Sequence, residues 1–134
     1  RKQIDEELIR TSAQTFGERL HVLLSPASAR ASRNRPMEYD ALTDFLGVAK
    51  IAYGWTILDA PRVPLTALTK IVENSSKAFL VLQLSVKDIR TARLMVKSLT
   101  DQGVPPSSVT LVVSRYHRRS MISICQAGEA LGRG

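Results

Sequence analysis

Trp55-Thr56-Ile57-Leu58-Asp59-Ala60-Pro61-Arg62 is an apolar run that stops at an aspartate and a proline. Read locally, Trp55 to Leu58 is a buried strand that delivers the carboxylate of Asp59 to its C-terminal tip. Many phosphate-handling α/β domains hold the water shell of a Mg²⁺ ion this way, because Mg²⁺ keeps several waters and takes few protein carboxylates. Pro61 and Pro64 forbid a simple continuation, since proline has no N–H for the ladder. No G-x-x-x-x-G-K-[ST] loop or other glycine-rich phosphate cradle accompanies this segment anywhere in the chain. The expectation is the second half of a nucleotide-binding domain, separated from the half that grips the phosphates.

The flanking segments extend that reading in both directions. Upstream, Ile4, Leu8 and Ser12 share one helical face with Ile9 beside it, which predicts a helix from Ile4 to Thr15 that Gly17 stops. Leu20-His21-Val22-Leu23-Leu24 reads as a short buried strand, ended by Ser25-Pro26 and followed by a polar, basic loop to Pro36. Leu42, Phe45, Leu46, Ala49 and Ala52 recur at helical spacing, so a second helix runs up to Gly54. Downstream, Pro64 starts a helix over Leu65 to Asn74. Ala78-Phe79-Leu80-Val81-Leu82 is apolar throughout, as in parallel sheets covered on both faces. Ser85-x-x-Asp88 has capping-box spacing, and Ile89, Ala92, Val96 and Leu99 carry the buried stripe of the helix it opens. Gly103 and Pro105-Pro106 end that helix, and Val109-Thr110-Leu111-Val112-Val113 is the last strand. Ser123-x-x-Gln126 caps a final helix through Leu131, with Gly132 as its stop. Helix and strand alternate strictly. That order predicts an α/β fold, a mostly parallel sheet with helices on both faces, as a single domain over residues 1–134.

Composition narrows the function. With 134 residues, 44% of them apolar, the chain can bury a sizeable core. No apolar stretch is long enough to span a bilayer. The opening Arg1-Lys2-Gln3 turns acidic at once, unlike a signal peptide, and the missing initiator Met points to an excised piece. Cys125 is the only cysteine, which excludes an internal disulfide framework and fits a reducing cytoplasm. Cys125, His21 and His117 support neither a structural zinc site nor a Cys-His nucleophile pair. The net charge of +7 invites anionic partners: nucleic acid, a phospholipid surface or an acidic protein. The charge is clustered, with Arg30, Arg33 and Arg35 in one loop and Arg115, His117, Arg118 and Arg119 in another; a solvated basic face is the alternative. Aromatic residues make up only 5%, too few for a stacking ladder, which argues against a single-strand binder. Asp5, Glu6 and Glu7 stand at a helix start, where negative charge is favourable against the dipole, rather than as a catalytic carboxylate pair.

Several stretches together resemble one family. Ile4-Asp5-Glu6-Glu7-Leu8, Phe16 to Leu23 and Ser25-Pro26 resemble the segment before the acidic strand of TadZ/CpaE proteins, the pilus-assembly and polar-localisation branch of the MinD/ParA ATPases. Tyr53 to Arg62 resembles their YDxVVVDLPR segment, and Lys77 to Arg93 is similar to their ADRVLLVxQLSxxxxRxARR. Gly103-Val104-Pro105 and Val109 to Tyr116 match the next strand and its tip. The resemblance covers nearly the whole chain, as the C-terminal part of the ATPase domain. The family's N-terminal phosphate-binding loop with its signature lysine is missing, and Ser114-Arg115 stands where the family carries Asn-Arg. Serine reaches less far than asparagine and has no amide edge for adenine.

The resemblance implies ATP and Mg²⁺ as ligands of the intact protein, a homodimer with nucleotide between subunits, and the siting of a pilus or secretion apparatus at the cell pole or membrane. Asp59 would order a Mg²⁺-bound water, with Pro61 beside it, and Ser114 and Arg115 would lie at the ligand-facing end of a strand. The alternative for Asp59 is a cap of the next turn, and for Ser114 an ordinary turn serine. Arg115, Arg118 and Arg119 would face DNA backbone or a protein partner. Alone, a chain without the phosphate loop is expected not to hydrolyse ATP. Two rival readings remain: a degenerate pseudo-ATPase that serves as a protein-interaction scaffold, and a basic module that associates with DNA.

Overall fold

The computed structural model describes residues 4–24, 39–60 and 63–132. The basic loop with Arg30, Arg33 and Arg35 lies outside the described residues, as do Pro61 and Arg62. The chain divides into two compact units, Arg1–Pro61 and Arg62–Gly134.

In the first unit, α1 (Glu6–Ser12) begins at Asp5, whose Oδ1 accepts from the Leu8 N–H at 2.8 Å. Asp5 thus caps the helix, with Glu6 and Glu7 in its first turn, at the helix start that the position of the acidic trio implied. The helix is shorter than its spacing suggests. Ala13 turns extended, and Gln14–Phe16 forms β1, which pairs antiparallel with β2 (Leu20–Val22) in the register Gln14↔Val22, Thr15↔His21, Phe16↔Leu20. Gly17 does not stop a helix; it sits at φ +64° in the hairpin turn, a conformation that glycine adopts without a Cβ clash. Thr15 and Phe16 suit a strand better than a helix end. Then α2 (Asp40–Ala52) buries Leu46, Ala49 and Ala52 along the expected stripe and packs on α1.

The run Trp55 to Leu58 is not a strand. Trp55 and Ile57 are 92% and 93% exposed, and none of the described strands pairs with the segment. A strand exists only against a neighbouring edge, and an apolar run cannot supply that edge for itself.

The second unit is a β-α-β crossover with two further helices. Pro64 caps α3 (Leu65–Glu73), its carbonyl accepting from Ala67 and Leu68. The strands β3 (Ala78–Leu82) and β4 (Val109–Val113) pair in parallel, from Ala78↔Val109 to Leu82↔Val113. Between them runs α4 (Val86–Asp101), and α5 (Ile124–Ala130) follows β4. Two core clusters hold these elements together. One gathers Val72, Leu99, Val104 and Val109; the other gathers Leu82, Ile89, Ala92 and Ala127. The hydroxyl of buried Thr69 donates to Gln102 Oε1 at 2.6 Å, tying α3 to the end of α4. On the opposite face of the strand pair Phe79 and Val81 are exposed.

The capping signals appear where the sequence carries them. Ser123 and Gln126 form a reciprocal box, at 3.1 Å and 2.9 Å. Ser85 Oγ accepts from the Asp88 N–H at 3.1 Å, but the Asp88 carboxylate accepts from Gln83 rather than from Ser85. Among the described residues no helix is long and apolar enough to cross a membrane.

Candidate functional site

Parallel strands end on the same side, so β3 and β4 deliver Gln83 and Ser114 next to each other. The Ser114 N–H donates to Leu82 O at 2.8 Å, carrying the ladder one residue past the strand. The chain then turns sharply into α4. Ser85 N–H donates to Gln83 O at 2.8 Å, and Gln83 N–H donates to Asp88 Oδ2 at 3.3 Å. This folds the Asp88 carboxylate back toward the strand ends. The result is an open groove of about 330 Å³, lined by Gln83, Asp88, Thr91 and Ser114 together with the apolar residues Leu80 to Leu82, Ala92 and Met95. In open α/β sheets ligands bind outside the carboxyl ends of the strands, and this groove occupies that place.

Its chemistry is specific. The ionisable side chain in the lining is a carboxylate, so a phosphate group is repelled while hydroxyl and amine donors are accepted. Ser114 and Gln83 add neutral groups that donate and accept. Thr91 contributes little, since its hydroxyl already donates to Lys87 O at 2.9 Å. A sugar or base edge fits this donor set better than a polyphosphate.

The other expected residues fall in different places. Arg115, Arg118 and Arg119 are exposed on the turn just beyond Ser114. Arg115 has φ +52°, the left-handed region that non-glycine residues rarely adopt. The turn is closed by Ser120, whose N–H and Oγ both donate to His117 O, at 3.0 Å and 2.8 Å. Asp59 belongs to the first unit, is exposed, and has no hydrogen bond or ion pair among the described residues. No group of three or more metal-binding side chains gathers among the described residues. Asp59 suits hydrated Mg²⁺ in donor type, and such an ion would rest on that one carboxylate, water and phosphate oxygens. Pro61 lies outside the described residues.

Sequence reading missed Gln83 and Asp88 as site residues. Asp88 carries a capping signal, and nothing local shows that its second role faces a groove. It also missed a polar cluster in the first unit. His21 Nδ1 and the Tyr53 hydroxyl are 2.8 Å apart, with the rings edge-to-face at 5.4 Å. Arg10 stacks over the Tyr53 ring at 5.3 Å and donates from Nη2 to Ala52 O at 2.7 Å. These residues join α1, β2 and the end of α2, and their separation in sequence leaves no motif to find.

No protein-family model matches the sequence, and no curated protein matches it. The structure is similar to that of a ParA family ATPase from Chlorobium tepidum TLS, with a TM-score of 0.83 and 21% sequence identity. The likeness covers 98% of this chain and 54% of that one, so the chain spans about half the length of the protein it matches. The chain, with its parallel β3–β4 pair and crossing α4, thus has an α/β fold of the ParA type.

Proposed function

We propose that residues 1–134 are the C-terminal portion of a MinD/ParA-like ATPase domain of the TadZ/CpaE type. The intact protein then acts as a dimeric, nucleotide-gated switch in the cytoplasm that sites a pilus or secretion apparatus at the cell pole. The observation that carries this reading is the groove at the carboxyl ends of β3 and β4, in a chain with the fold of a ParA family ATPase. Ser114, Gln83 and Asp88 bind the base and ribose end of ATP. Asp59 holds a water of Mg²⁺ in the intact protein, as the resemblance to TadZ/CpaE proteins implies. Mg²⁺, when bound, neutralises phosphate charge.

The sequence contains no phosphate-binding lysine loop, so the chain alone binds ATP weakly and does not turn it over. Titration calorimetry of the chain with ATP and Mg²⁺, beside the full-length protein, tests this. Tight Mg²⁺-dependent binding by the chain alone refutes the division of labour. No binding by the full-length protein refutes the ATPase reading.

The serine at position 114 favours a second reading, a pseudo-ATPase scaffold, because its short side chain cannot pair with adenine as an asparagine does. Localisation unchanged by Asp59→Ala in the full-length protein would select that scaffold. In either case Arg115, Arg118 and Arg119 make a surface for an anionic partner, for which DNA is one candidate.

A further inference from the structure

The turn after β4 places cations and apolar side chains together in water. Arg115, Arg118 and Arg119 are exposed and make no ion pair among the described residues. No Asp or Glu occurs between Asp101 and Glu129, so no acid within that stretch neutralises them. In the same stretch of chain, up to the first residue of α5, Tyr116 and Ile124 are more than half exposed, and Met121 is 99% exposed. The protrusion is held in place. Ile122 packs inward on the cluster of Leu82, Ile89, Ala92 and Ala127, and the Ser120–His117 hydrogen bonds fix the turn. The outward apolar residues are therefore presented by the fold, and burial in this unit does not account for them.

We propose that this turn docks on an anionic lipid surface. The arginines meet phosphate headgroups, and Met121, flanked by Tyr116 and Ile124, enters the boundary between headgroups and acyl chains. Charge complementarity supplies the attraction, and the apolar tips supply the choice of partner. Duplex DNA is the other polyanion that such charge would meet. Its phosphate backbone gives Met121 and Ile124 nothing to bury against. The proposal rests on the reading of this turn as an anion-facing surface and is independent of nucleotide binding in the groove.

Co-sedimentation of the chain with phosphatidylcholine vesicles, with and without phosphatidylglycerol, tests it. Binding is expected only with phosphatidylglycerol, weakening as salt is raised. Each of R115Q, R118Q and R119Q is expected to weaken it about fivefold, the factor that corresponds to about 1 kcal/mol per cation at the surface. M121S is expected to weaken vesicle binding about tenfold while leaving any binding to duplex DNA, followed by gel shift, unchanged. Binding to DNA without binding to vesicles overturns the lipid proposal and leaves an anion-facing surface standing. Binding to neither overturns both. Vesicle binding that M121S leaves intact, but that F79T abolishes, moves the contact to the sheet face and also overturns the proposal.

Discussion

Gly103 holds φ at +92° at the end of α4, where its N–H donates to Thr100 O and the Val104 N–H donates to Leu99 O. This is the Schellman arrangement, and its usual apolar contact is present, since Val104 and Leu99 share one core cluster. A Cβ at Gly103 would meet nothing within 4 Å. Gly103→Ala should therefore destabilise the chain through backbone strain alone, by about 1–2 kcal/mol in urea unfolding. Ser114 and Arg115 were legible as a strand tip from the apolar run before them. Gln83 and Asp88 were not legible as groove residues, because the backbone turn that brings them together is a tertiary event. The His21–Tyr53 pair is of the same kind. Tyr53→Phe removes the partner of a half-buried imidazole nitrogen and should cost about 0.5–1.5 kcal/mol, measurable by the same unfolding experiment.

Among the elements, α4 joins the two core clusters of its unit, with Leu99 in one and Ile89 and Ala92 in the other. Leu99 is 3% exposed, so Leu99→Ala leaves a cavity at the junction of α3, α4 and β4. The expected loss is about 2–5 kcal/mol, seen as a lower urea midpoint with an unchanged slope. The buried stripe of α4 was visible as periodicity, and so were its cap and its stop. The hairpin of β1 and β2 was not visible. The helix read from Ile4 to Thr15 takes in Gln14 and Thr15, and pairing with Leu20–Val22 makes Gln14–Phe16 a strand instead. The same rule works in reverse at Trp55–Leu58, where the apolar pattern of a strand is present and the pairing is not.

At the scale of the molecule, the exposed apolar residues are the consequence of those pairings. Phe79 and Val81 leave the outer face of the β3–β4 pair open, on a strand that pairs on one edge with β4. Open apolar strands of this kind recruit other surfaces. Replacing both with threonine keeps the β-branched or strand-compatible shape and removes apolar area from water. The double variant should bind less of the dye ANS and resist aggregation at high concentration, with a urea midpoint close to that of the parent. Equal dye binding by the variant and the parent would show that the face is covered in solution.

What the sequence determined by itself is local: the acidic cap of α1, the stripe of α2, the caps of α4 and α5, and the apolar runs of β3 and β4. The helical features are settled within a few residues, because a helix satisfies its N–H and C=O groups inside one segment, whereas β3 and β4 were legible only as apolar runs. What only the tertiary structure decided is which apolar runs become strands, which face of a sheet is covered, and which polar groups meet at the strand ends. Those outcomes depend on edges contributed from elsewhere in the chain. No residue pattern at Gln14–Phe16, Trp55–Leu58 or Gln83–Asp88 specifies its own partner.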